Sequence, residues 1–247
     1  MHRLRAIFVR HGESANNVLA LRGAEYFAAN RVEDPALTER GMQQAACVAK
    51  FFASSPALLT PIDEIIVSPM QRTLMTADPI ARTCSMAPTV WADVYETGGC
   101  FRASEGKPGL SPQQIRDAFP TYHFVVGQYG LRDDGWYETG LGEEPAARSE
   151  MRARTVFQRL KDKAAALKHD VTILLVIHHD FIDLLLRQAS GGFPSAADAP
   201  PGAFYQHYNC ALSAVDVYSD GRAQILFTNR HEFIDDSLVR KQHLGAV

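Results

Sequence analysis

A chain of 247 residues, 46% hydrophobic and 21% charged, has globular composition and enough apolar side chains for a sizeable core. A formal net charge of -3 gives no basic footprint for nucleic acid or an anionic membrane, so any anion site must be local. No apolar run is long enough to span a bilayer, Met1–Arg5 lacks a signal peptide's apolar centre, and the four cysteines (Cys47, Cys84, Cys100, Cys210) show no Cys-x-x-Cys spacing; this reads as a cytoplasmic protein with reduced thiols, a disulfide pair being left open.

In chain order, the apolar run Ala6–Val9 between Arg5 and Arg10 predicts a buried strand. Arg22, Gly23 and Asp34 are expected in a loop after the helix that follows it. Thr38 predicts the N-cap of a helix with Met42, Ala45, Ala46, Ala49 and Phe52 at helical period. "DEIIVS" predicts a second strand, and "SPMQRTLMTADPIA" a helix with Ser68 as N-cap and Pro69 at its first position. "PTVWADV" predicts a third strand, "TILLVIHH" a fourth, and "DFIDLLLRQA" a helix after it. "CALSAVDVYSDGRAQILFTN" predicts two strands joined at Ser219-Asp220-Gly221. Residues 97–144 break the alternation; they are rich in glycine, aromatic and charged residues, with one short helix capped by Ser111, Pro112 and Gln114. A long helix is expected over Glu143–Lys168, and "SGGFPSAADAPPG" predicts a loop. The alternation predicts a single α/β domain over 1–247: a three-layer, doubly wound, mostly parallel sheet with helices on both faces and 97–144 as an insertion over the sheet edge and active site.

In open parallel sheets, ligands bind beyond the carboxyl ends of the strands. Those ends carry Arg10-His11-Gly12, Ser68 with Arg72 one turn on, Glu96, and His178-His179. Gly12 is read as the residue of a tight turn. Two arginines, up to three histidines and a glutamate at four strand ends suit a dianion: guanidinium forks match phosphate oxygens, and helix N-termini add N–H donors. Nearby arginines lower a histidine's pKa and keep its ring neutral and nucleophilic, and Glu96 is the acid placed to protonate a leaving alcohol.

"VRHGES" with Asn17, "DPALTERGMQQA", "IIVSPMQRTLMTA", "GEEPAARSEMRAR" and "LLVIHHDFID", in that order, resemble the motifs of the histidine phosphatase superfamily, also called phosphoglycerate mutase-like. The resemblance runs from residue 6 to about residue 230 and is weakest over 97–142. It implies His11 as phosphorylated nucleophile, Arg10, Arg72 and His178 as the phosphoryl clamp, Asn17 as a further hydrogen bond, and Glu96 as proton donor and then base, with no metal or cofactor. His179 stands where a glycine is usual, so it is a candidate pocket residue, as is Arg22. "YETGGCF" lacks the E-R-x-Y-G pattern of cofactor-dependent mutases, which favours hydrolysis of a small-molecule phosphate ester. Mutase- or bisphosphatase-type transfer and a non-catalytic protein-binding member of the fold are the alternatives; a metal site at His178-His179-Asp180 is disfavoured by its strand-end position, and a homodimer is left open.

Overall fold

The computed structural model describes residues 2–54, 59, 61–192 and 204–240. The chain begins in β1 (Arg3–Arg10) and continues through α1 (Ala15–Ala20) and α2 (Ala24–Asn30) to α3 (Glu39–Ala53). Then come β2 (Glu64–Val67), α4 (Gln71–Cys84), β3 (Thr89–Val90) and a 3-10 turn, Ala92–Val94. The 97–144 stretch holds a two-residue ribbon, β4 (Phe101–Arg102) with β5 (Glu105–Gly106), and α5 (Pro112–Ala118). The chain returns through α6 (Ala146–Ala165), β6 (Val171–Ile177), α7 (His179–Ala189), β7 (Leu212–Tyr218) and β8 (Ala223–Arg230).

Six strands form one sheet in the order β3-β2-β6-β1-β7-β8. The first four are mutually parallel, and β7 and β8 add an antiparallel edge. The expected mostly parallel α/β sheet is therefore present. Alternation along β1 divides the core: Ile7 and Val9 pack with Ala45, Val48, Leu74 and Ile80 of α3 and α4, whereas Ala6 and Phe8 pack with Val156, Leu160, Phe181 and Leu185 of α6 and α7. Thr38 caps α3 through Gly41 N–H, and Ser111 and Gln114 form the expected capping box.

Five local expectations are corrected. The stretch holding Arg22 and Gly23 contains α2, with Gly23 at its N-cap (φ 97°). Met42 is exposed; the buried face of α3 runs through Gly41, Gln44, Ala45, Val48, Ala49 and Phe52. The helix after β2 starts at Gln71 with Met70 as N-cap, because Ser68 is engaged elsewhere. The third strand stops at Val90, and Asp93, held at both oxygens by Arg159 of α6, lies in the turn that leaves the sheet. The long helix starts at Ala146 because Pro145 holds Glu144 extended and Glu144 points inward to Arg152. The hairpin turn at Ser219-Asp220-Gly221 is present, with Gly221 at φ 86°. Residues 193–202 of the expected loop lie outside the described residues. All four cysteines are free.

Candidate active site

β1, β2 and β6 run parallel, so their carboxyl ends open on one side, and the 3-10 turn after β3 leads to Glu96. His11 follows β1 and is buried. Its Nδ1–H donates to Gly12 O at 2.7 Å, which leaves the lone pair on Nε2, and Arg72 Nε donates to that nitrogen at 3.1 Å. Burial, reinforced by Arg72 and Arg10, holds the ring well below the ordinary histidine pKa, so it is neutral. Gly12 has no positive φ; it is needed for close approach, since a Cβ there would meet Gly41 O at 2.4 Å. Its N–H donates to Thr76 Oγ1 at 3.0 Å, which ties the loop to α4.

His178 caps α7 and lies 5.3 Å from His11, ring centre to ring centre. Its Nε2 pairs with Ser68 Oγ at 2.7 Å, and its Nδ1 is buried without a partner. In the tautomer where Ser68 Oγ–H donates to Nε2, Nδ1 carries the ring proton as a donor free for a ligand. Burial and the Arg72 charge keep this ring neutral too. Arg10 is buried, donates from Nη1 to His207 O at 2.6 Å, and leaves Nε unpaired. Burial lowers its pKa to about 10, still far above neutrality, so its charge is retained.

Glu96 is half-buried beside the first turn of α7. Its Oε1 accepts from Phe181 N–H at 3.1 Å and Thr97 N–H at 3.0 Å. Burial and the nearby Asp180 carboxylate raise its pKa, which favours the protonated acid. Asp180 accepts from His179 Nδ1 at 2.7 Å and from Thr97 Oγ1 at 3.3 Å, so His179 lies on the same rim. Asn17 completes the capping box of α1 through Oδ1, which also accepts from Asn209 at 3.2 Å; among the described residues its Nδ2 has no partner. The structure therefore brings His11, Arg10, Arg72, His178 and Glu96 to one end of the sheet, with Asn17 and His179 beside them. Arg22 is not among them: it is exposed, 3.8 Å above the Tyr26 ring, and donates to the Tyr26 hydroxyl.

Several supporting residues have no site role assigned from sequence, because their partners are remote. Asp34 Oδ1 accepts Gln71 N–H at 2.9 Å and so caps α4; burial raises its pKa to about 6. Asn209 donates to His11 O at 3.0 Å. His207 is buried between Tyr205 O and Ser213 Oγ, and burial lowers its pKa to about 3. Glu144 and Arg152 form a bidentate pair, and Arg152 Nη1 donates to Tyr95 O at 2.7 Å, beside Glu96. Among the described residues no three His, Cys, Asp or Glu side chains are grouped to hold a metal ion, and no helix is long and apolar enough to cross a membrane.

The fold is shared with solved structures. "Mycobacterial hydrolase 2" is 19% identical with a TM-score of 0.61, covering 96% of this chain and 95% of its own. A mycobacterial glucosyl-3-phosphoglycerate phosphatase is 19% identical with a TM-score of 0.57, covering 93% and 100%. An Entamoeba histolytica phosphoserine phosphatase, solved with 3-phosphoglyceric acid, is 20% identical with a TM-score of 0.58, covering 94% and 100%. No curated protein matches the chain. A sequence model of the histidine phosphatase superfamily (branch 1) matches residues 6–230, from within β1 to the last residue of β8, a span that holds Arg10, His11, Arg72 and His178, and the chain belongs to that superfamily.

Proposed function

We propose that this protein hydrolyses small phosphate monoesters through a phosphohistidine on His11, with Glu96 as proton donor. The observation that carries this reading is the tautomer of His11. Donation of Nδ1–H to Gly12 O leaves the lone pair on Nε2, facing Arg72, in a ring that burial and the two arginines keep uncharged.

In the first step Nε2 forms a bond to phosphorus and the ester P–O bond breaks. The alkoxide electron pair takes the proton from Glu96, whose raised pKa favours the protonated acid. Arg72, Arg10 and the free Nδ1–H of His178 stabilise the equatorial oxygens, with Asn17 Nδ2 as a further donor. In the second step the Glu96 carboxylate removes a proton from water, the water oxygen bonds to phosphorus, and the P–N bond breaks. Inorganic phosphate leaves, the ring is neutral again, and Glu96 is protonated. The absence of an E-R-x-Y-G sequence around Glu96, together with the phosphatase names of the structural relatives, supports hydrolysis over mutase chemistry.

The test is single-turnover acid quench with an aryl phosphate. An acid-labile phosphate on His11 is expected, and His11→Ala is expected to fold yet show no turnover. An active His11→Ala protein would overturn the assignment.

A further inference from the structure

Arg31 follows α2 as its C-cap residue. Its guanidinium carbon lies 3.6 Å from the centre of the Phe101 ring, with Phe27 at 5.6 Å. Its Nε is buried without a hydrogen-bond partner, and no described carboxylate forms an ion pair with it. A guanidinium centred over a ring, with its Nε buried and unpaired, is suited to a partner that the described residues do not supply.

Both neighbours of Arg31 lead into the active site. Three residues on, Asp34 binds Gln71 N–H, next to Arg72 of the clamp. On the other side, a Cβ at Gly98 would lie 3.4 Å from Phe101 Cε1 and 3.6 Å from Glu143 Oε1, two residues beyond Glu96. Arg31 thus stands between Asp34, tied to the residue before Arg72, and Phe101, packed beside Gly98. Burial lowers its pKa; Glu143 opposes that shift and Arg72 adds to it.

We propose that Arg31 is a specificity residue that binds a carboxylate on the alcohol portion of the phosphate ester. This rests on the hydrolase reading of the site and names the substrate class it would take. A phosphoryl group engages Arg72, which leaves the Arg31 fork for a second anion on the leaving group. One fork, with Glu143 nearby, matches a single negative charge rather than a second dianion.

The test uses two matched pairs: phosphoserine against phosphoethanolamine, and 3-phosphoglycerate against glycerol phosphate. Each pair differs in the carboxylate. The wild-type protein is expected to prefer the carboxylate member of at least one pair in kcat/KM, mainly through KM. Arg31→Gln is expected to reduce that preference about tenfold to a hundredfold, and Arg31→Lys by less. Calorimetric titration of His11→Ala protein with the same esters, with and without Arg31→Gln, reads the subsite independently of turnover. Equal handling of both members of both pairs, or a preference unchanged in Arg31→Gln, would overturn the proposal. Turnover of an aryl phosphate with no carboxylate preference refutes the subsite alone. Selective binding of the carboxylate esters without turnover of any ester refutes the hydrolase reading alone.

Discussion

Arginines in two regions of this molecule are buried to similar degrees and used in opposite ways. Beside the pocket, Arg152 is saturated: Nε and Nη2 bind Glu144 at 3.0 and 2.6 Å, Nη1 donates to Asp93 O and Tyr95 O, and the plane stacks on Tyr95 at 3.7 Å. Arg5, under the sheet's antiparallel side, is likewise gripped by both oxygens of Asp216. In the pocket, Arg10 donates to one carbonyl and leaves Nε unpaired, and Arg72 donates to one ring nitrogen. A buried cation normally requires full pairing, so donors left idle at a strand end identify a place kept for an anion, whereas saturated ones identify struts.

The comparison can be broken, starting with its largest consequence. On the proposed mechanism Arg72→Ala removes a cation that stabilises the transferring phosphoryl group, and kcat on an aryl phosphate is expected to fall about 10³- to 10⁵-fold, with the unfolding midpoint nearly unchanged. Steady-state kinetics beside a urea melt checks this, and a stability loss without a rate loss would make Arg72 a strut.

Arg152→Met should do the reverse in kind. It strands the buried Glu144 carboxylate, and a loss of about 3–5 kcal/mol is expected in chemical denaturation. Adding Glu144→Gln should recover part of that loss.

The neutral buried histidines sharpen the contrast through pH. His207 has a folded pKa of about 3 against an ordinary 6.5, so its contribution to stability is present above pH 6.5 and is lost as pH falls towards 3. His11 and His178 shift in the same direction and add to the effect. Stability is expected to decline by a few kcal/mol over that window, with a shallower slope in His207→Asn, as read from urea midpoints across pH. The smallest effect belongs to Arg22→Ala. Its side chain rests on Tyr26 at the surface, and kcat/KM is expected to stay within about twofold of wild type.

What the sequence made legible follows from how local each cause is. The run into Arg10-His11, the Thr38 cap and the Ser111 box are decided within a few residues, and all three stand where expected. The start of α4 was misplaced because its cap comes from Asp34, 37 positions away, while Ser68 is drawn to His178. Sequence order could bring His11, Arg72 and His178 to one end of a sheet, but not the carbonyl of His207 under Arg10 or the ring of Phe101 under Arg31. Those contacts depend on loops that follow no period.

The backbone of His11 has a mechanical consequence. His11 N–H donates to Ile177 O on one side at 3.0 Å, and Cys210 N–H reaches Arg10 O and His11 O on the other at 3.0 and 3.3 Å. The residue is stitched into the middle of the sheet, so its amide should exchange with deuterium only when the whole sheet opens. The β4–β5 ribbon, joined by two residue pairs, should exchange through much cheaper excursions. The His11 ring would then stay fixed while the β4–β5 ribbon opens and closes.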